Sequence, residues 1–173
     1  MSYSGGQDSN VLSALVDMAL PENKIPRVYC NTGIEYKAIV DFVKEKAAAD
    51  DRFIIIQPKV PIKQMLEEKG YPFKSKFHSE MVKRYKRIGK DNKTIMKYLK
   101  LDESVDSYYS ANCCPKSLEY QFTDDNNLGF KISDLCCHEF KTKPLDDYKK
   151  SHNKSIAIIG IMADEGGAAS DAR

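Results

Sequence analysis

No stretch of this chain approaches the roughly 20 consecutive apolar residues that a membrane-spanning helix requires, and its N-terminus lacks the basic-then-apolar pattern of a secretory signal. The expected address is the cytoplasm, with no membrane partner. No internal repeat or low-complexity linker divides the 173 residues, so one domain with a single buried core is expected over 1–173. An excess of one charge sign is also lacking: the net charge is +2, with 42% apolar and 30% charged residues, the proportions of a soluble globular protein. Missing too is the Gly-x-x-x-x-Gly-Lys-Ser/Thr phosphate loop, because no glycine pair here has the four-residue gap and the lysine that reaches the terminal phosphates.

What is present is a different loop. Ser4-Gly5-Gly6-Gln7-Asp8-Ser9 opens directly into Val11, Leu12, Leu15, Val16 and Ala19, an apolar pattern of helical spacing. Paired glycines let the backbone take positive φ and expose its N–H groups, and the following helix adds the positive end of its dipole. Ser4 and Ser9 are expected to donate hydroxyls to a bound anion, and Asp8 to face a magnesium ion as the candidate catalytic residue. Phosphate binding is thus expected over Ser4, Gly5, Gly6, Gln7, Asp8 and Ser9.

Further on, the apolar strand Val28-Tyr29-Cys30 ends in Asn31-Thr32-Gly33 and leads through Ile34-Glu35-Tyr36 into a helix with Ile39, Val40, Phe42 and Val43 on one face. The first loop resembles the signature of the ATP pyrophosphatase (PP-loop) family within the adenine-nucleotide alpha hydrolases. The second segment resembles the Asp-Thr-Gly segment of its phosphoadenylyl-sulfate reductase branch, with Asn31 standing for the usual Asp. Cys136-Cys137-His138-Glu139-Phe140-Lys141-Thr142-Lys143-Pro144-Leu145 resembles a Cys-Cys run of adenylyl-sulfate reductases, with Lys141 on the basic position before the Pro-Leu pair. Gly160-Ile161-Met162-Ala163-Asp164-Glu165 is similar to a late strand-to-loop segment of the branch, with Met162 in place of the usual arginine.

The resemblance implies an adenine nucleotide, either ATP with Mg2+ or a sulfonucleotide, its phosphates on the first loop and its nucleoside against Tyr29, Asn31, Thr32, Gly33 and Glu165. The fold expected is α/β: an open, mostly parallel twisted sheet with helices on both faces. Val28 to Cys30, Phe53 to Ile56 and Ile156 to Ile161 read as buried parallel strands separated by helical pattern. Ligands bind at the carboxyl ends of such strands, where the loop, the Asn31–Glu35 turn and the Ala163–Glu165 segment converge. A helical basic insertion is expected over 62–112. Only Met1, Ser2 and Tyr3 precede the loop, and the other end stops in small polar residues, so truncation at both ends is expected.

From Lys59 to Lys100 there are 13 Lys or Arg against 4 Asp or Glu. A solvated helical face, polyphosphate steering and a nucleic-acid contact over 74–100 are all open readings, since Met81, Val82, Tyr85, Ile95, Met96 and Leu99 at helix spacing turn the lysines outward.

Four of the five cysteines form vicinal pairs, Cys113-Cys114 and Cys136-Cys137. The resemblance at the second pair implies a 4Fe–4S cluster on Cys136 and Cys137, with Cys113 and Cys114 substituting for the downstream cysteines of that family; zinc and unliganded reduced thiols are the other readings. His138 reads as a surface or core histidine and Cys30 as a small core residue. The chain contains no Glu-Cys-Gly-Leu-His segment, which carries the nucleophile of the reductases. Cleavage of ATP between the α and β phosphates, with adenylation or sulfur transfer, is therefore the leading expectation. A sulfonucleotide reductase whose cysteine lies outside this chain and a non-catalytic nucleotide-binding or DNA-associated module are the alternatives.

Overall fold

The computed structural model describes residues 1–101, 113–123 and 128–161. These residues form two compact units, one built from Met1–Lys59 and His138–Arg173, the other from Val60–Cys137.

In the first unit, α1 (Gln7–Ala19), β1 (Arg27–Cys30), α2 (Lys37–Ala49) and β2 (Phe53–Ile56) alternate as expected. β1 and β2 pair in parallel, from Arg27 opposite Phe53 to Cys30 opposite Ile56. On the other side of β1, the Tyr3 N–H donates to Val28 C=O and the Val28 N–H to Met1 C=O, each at 2.9 Å. The Ser2 N–H in turn donates to Ile158 C=O at 2.9 Å, so the chain before the loop lies between β1 and the Ile158 segment. Ile156–Ile161, expected as a buried strand, forms no strand. Among the described residues its pairing is confined to this one bond with the short Met1–Tyr3 segment, and Ile156, Ile159 and Ile161 stand 80%, 56% and 46% exposed.

Met1, Tyr3, Tyr29 and Val43 are the buried centre of this unit, with Leu12, Val16, Ile39, Phe42, Phe53 and Ile158 packed around them. α1 presents Ser9, Leu12, Ser13 and Val16 inward, whereas Val11 and Leu15 of its expected apolar face are 53% and 54% exposed. The small serines face inward because they have partners there. Ser13 Oγ accepts from the Nε–H of Arg27, a fully buried arginine at the start of β1 that also donates to Asp17 at 2.6 Å and Asn23 at 2.8 Å. Arg52 reaches the same Asp17 carboxylate at 2.7 Å. The Asn23 amide and the two guanidiniums outweigh burial and hold Asp17 below the usual carboxylate range. Arg27 is fully buried and Asp17 39% exposed, so loss of the Asp17 carboxylate would leave the buried guanidinium with neutral partners alone, Ser13, Asn23 and Ile25.

A π-helical turn, His138–Thr142, runs into α6 (Lys143–Ser151). Pro144 has no N–H to give to the carbonyl four residues back, which is that of Phe140. The buried Cys30 thiol donates to that carbonyl at 3.0 Å, tying β1 to the turn.

The second unit holds α3 (Ile62–Lys69), α4 (Lys76–Ile88), α5 (Lys93–Tyr98) and a 3₁₀ turn, Lys116–Gln121. Its core is Met81, Val82, Tyr85, Ile95, Tyr98, Cys114, Phe122 and Ile132. At its centre the buried His78 bonds Tyr98 OH through Nδ1 at 2.7 Å and Gln121 Oε1 through Nε2 at 2.9 Å. An acceptor at Nε2 places the ring proton there, so the Tyr98 O–H donates to Nδ1. The Ser75 and Asn92 side chains cap α4 and α5 by accepting from the His78 and Thr94 N–H groups. Among the described residues no helix is long and apolar enough to cross a membrane.

Candidate functional site

The loop of residues 4–9 leaves the Met1–Tyr3 segment and becomes α1 without an intervening turn of chain. Gly5 takes φ 76°, in the left-handed region, and Gly6 is the extended N-cap residue. A Cβ on Gly5 would meet Ile39 Cγ2 at 2.9 Å and Val43 Cγ2 at 3.0 Å, so the loop backbone lies directly on α2. The first intrahelical bond is Asn10 N–H to Gly6 C=O at 3.1 Å, which leaves the amides of Gln7, Asp8 and Ser9 ahead of the helical ladder.

The hydroxyls that the sequence offered to an anion are engaged within the loop. Ser4 Oγ accepts from the Gly6 N–H at 3.3 Å and donates to Ser9 Oγ at 3.2 Å; the buried Ser9 hydroxyl donates to Gly6 C=O at 2.9 Å. The Asn10 side-chain amide, oriented by the Tyr3 hydroxyl, donates to Gly5 C=O at 3.2 Å and Gly6 C=O at 3.0 Å. These bonds fix the loop and engage the carbonyls of Gly5 and Gly6. Gln7 and Asp8 are exposed in the first turn. Asp8 presents its backbone to Gly160, where an added Cβ would meet Asp8 C=O at 3.3 Å. The late segment named in the sequence thus comes to the loop, although Glu165 itself lies outside the described residues.

At the carboxyl end of β1 the Asn31–Glu35 turn is held by its own side chains. Asn31 Oδ1 accepts from the Gly33 N–H at 3.0 Å. Glu35 accepts from the Thr32 hydroxyl at 2.7 Å and the Thr32 N–H at 3.0 Å. Burial opposes ionisation of Glu35, but these bonds and the Lys141 charge outweigh it and hold the carboxyl below its ordinary range. Gly33 takes φ 86° with no atom within 4 Å of an added Cβ, so the backbone conformation and not crowding demands glycine. Tyr29 is only 2% exposed and its ring lies among Met1, Tyr3 and Val43, which leaves a nucleoside no face to stack on. Its hydroxyl is a buried polar atom without a hydrogen-bond partner among the described residues.

Sequence reasoning passed over Glu35 as a structural carboxylate and over Lys141 as its electrostatic partner; the Thr-x-x-Glu spacing at 32–35 was the available signal. Lys141 also faces the Cys30 thiol electrostatically. Burial first, then the Glu35 charge, push that thiol up to about 11 against the pull of Lys141.

The cysteine pairs do not assemble a metal centre. Among the described residues no three Cys, His, Asp or Glu side chains form a metal-sized group. Cys113 Sγ lies 3.9 Å from Lys97 C=O, the buried Cys114 thiol donates to Pro115 C=O at 3.5 Å, Cys136 is half-buried and Cys137 exposed. Burial raises the thiols of Cys114 and Cys136 above their ordinary value. The four residues as placed here do not fit a 4Fe–4S cluster or zinc. His138 is exposed and 3.5 Å from Glu139. A cavity of about 400 Å³ in the first unit is lined by Ile25, Pro26, Val28, Leu145 and Ile158 among others, and the loop and the turn contribute nothing to it.

A family model for the phosphoadenosine phosphosulfate reductase domain matches residues 1–173, the whole chain. Over 97 residues the chain is 30% identical to an uncharacterized protein of Methanocaldococcus jannaschii, the match covering 50% of this chain and 23% of that protein. The chain therefore spans less than a quarter of that relative's length. No solved structure matches the chain.

Proposed function

Because the chain belongs to the phosphoadenosine phosphosulfate reductase domain family, we propose that it binds an adenine nucleotide with the phosphates on the backbone of Gly5 to Ser9. With ATP as that nucleotide it cleaves between the α and β phosphates, activating an acceptor by adenylation or for sulfur transfer. The observation that carries this reading is the loop-to-helix junction, where positive φ at Gly5 brings the amides of Gln7, Asp8 and Ser9 together ahead of the helical ladder. Amides at the positive end of a helix dipole favour an anion and need no reorganisation to receive it.

Ser4, Ser9 and Asn10 keep the loop in shape, and the backbone amides do the gripping. The Asn31–Gly33 turn, pinned by Glu35, receives the ribose and base, with Glu165 as a further contact. Asp8 would hold magnesium, a hard cation that takes one or two carboxylates and completes its shell with phosphate oxygens and water. When bound, magnesium neutralises charge developing on the departing pyrophosphate. Sulfonucleotide reduction would need a thiolate at this site, and Cys30, the thiol at the end of β1, is buried and protonated at neutral pH.

Calorimetric titration with ATP and magnesium, paired with an assay of pyrophosphate release, tests the reading. Asp8→Ala is expected to weaken magnesium–ATP binding by about 10- to 100-fold, the scale of one lost charge-assisted contact. Wild-type affinity in Asp8→Ala would remove the assignment, and binding without pyrophosphate release in the presence of candidate acceptors would leave a binding module in place of an enzyme.

A further inference from the structure

The α4–α5 surface belongs to the second unit, whereas the loop and turn residues of the proposed nucleotide site belong to the first. Between Lys74 and Lys100 the sequence places ten Lys or Arg against two Asp or Glu. α4 buries His78, Ser79, Met81, Val82 and Tyr85 in the core, and α5 buries Ile95 and Tyr98. The cations are thereby fixed on the outside of packed helices.

Of the two acidic residues, Glu80 is bound by Arg84 at 2.6 Å. Lys83 pairs with Asp134, and no described carboxylate lies within ion-pair reach of Lys76, Arg87, Lys90 or Lys93. Lys76, Lys83 and Arg87 recur at helical positions i, i+7 and i+11, a single stripe about 16 Å long. The adjacent stripe carries Phe77, Arg84 and Ile88, one residue on from each. Phe77 is 44% exposed, yet its ring is held edge-to-face against Tyr98 at 5.3 Å. An aromatic ring pinned at the surface beside Lys76 and Arg87, which no described carboxylate neutralises, goes beyond what a merely solvated helix face contains.

We propose that this surface binds single-stranded nucleic acid, with the Lys76–Lys93 cations on the phosphates and Phe77 as a platform for a base. Cations on a rigid track contact successive phosphates with little loss of side-chain freedom, and an exposed aromatic discriminates single strands, whose bases are free to stack, from duplexes, whose bases are not. The inference stands independently of ATP cleavage.

Fluorescence anisotropy with the full chain and labelled 20-nucleotide single strands, DNA and RNA, from 50 to 300 mM salt is the test. Binding is expected to weaken with salt by about 0.7 log units per log unit of salt for each phosphate neutralised. Replacing Lys76, Arg87, Lys90 and Lys93 together by Gln should lower that slope by about 2 to 3 and leave ATP affinity at the wild-type value. Phe77→Ala should weaken single-strand binding by about 5- to 150-fold with the salt slope unchanged, and Phe77→Tyr should restore it. Wild-type slope and affinity in the fourfold variant would overturn the proposal. So would a duplex or heparin that binds as tightly as the single strand, together with no effect of Phe77→Ala, since the surface would then be an undiscriminating polyanion patch.

Discussion

Adjacent glycines in the loop of residues 4–9 carry unequal demands. Gly5 combines φ 76° with a Cβ position 2.9 Å from Ile39 Cγ2, whereas Gly6 has φ −79° and its nearest neighbour is Ser4 Oγ at 3.4 Å. Gly5→Ala adds a left-handed backbone cost to overpacking against α2 and is expected to destabilise by about 2–4 kcal/mol. Gly6→Ala, at an N-cap position, should cost less than about 1 kcal/mol. Urea unfolding of the two variants checks the ordering, and equal losses would contradict it. Cys30 offers a second check: with its thiol pushed up to about 11, it is protonated at pH 8 and is expected to resist Ellman's reagent in the native chain, while the exposed Cys137 reacts. Peptide mapping by mass spectrometry reads which thiol was modified. The loop-to-helix junction was legible in the sequence because paired glycines stand directly before an apolar pattern of helical spacing. The inward commitment of the Ser4 and Ser9 hydroxyls was not, since it depends on which way side chains turn once the loop is packed. The burial of Tyr29 was legible, since Val28 to Cys30 reads as a buried strand and all four residues of β1 are buried.

At the scale of elements, period told helix from strand where each had a partner. α2 and α4 put Val43, Met81, Val82 and Tyr85 inside as their spacing requires, and Phe53–Ile56 forms the strand its β-branched run suggests, though half-buried along its length and not buried as expected. The reading failed for Ile156–Ile161, whose apolar run has only a short segment to pair with, and for α1, where serine partners outrank leucine on the inner face. His78 shows a different kind of limit: a lone histidine on a basic helix gives no hint that Tyr98 and Gln121 will meet both ring nitrogens. Burial lowers its pKa from the ordinary 6.5, and the Gln121 bond offsets this only in part. The unfolded chain therefore binds more protons than the native chain between the lowered value and about 6.5. The contribution of His78 is fully present above about pH 6.5 and is lost as pH falls through that window. The urea midpoint is expected to drop between pH 7.5 and 5.5, and His78→Gln, though less stable at pH 7.5, should show a flatter profile. A parallel pH dependence in both proteins would place the titrating group elsewhere.

For the whole molecule, the two units differ in how the chain builds them. The unit of Val60–Cys137 is one continuous segment with its own buried cluster, and it is closed where the Tyr71 N–H donates to Lys131 C=O at 2.8 Å and the Ser133 N–H to Tyr71 C=O at 3.0 Å. That closure joins residues some sixty positions apart, so helical period in the sequence marks the α3–α5 part of the unit but not the segment that completes it. The unit of Met1–Lys59 and His138–Arg173 is discontinuous: Ile158 covers the Met1–Tyr29 cluster and Phe140 accepts the Cys30 thiol, so residues 1–59 alone lack part of their core. Residues 60–137 expressed alone are therefore expected to unfold in one cooperative urea transition followed by tyrosine fluorescence, with a stability near the about 3–5 kcal/mol that a core of this size supplies. Residues 1–59 alone are expected to show no such transition. A non-cooperative response from the 60–137 fragment would mean that its core depends on the rest of the chain, and the His78–Tyr98–Gln121 network would then report on the stability of the whole protein and not of its own unit.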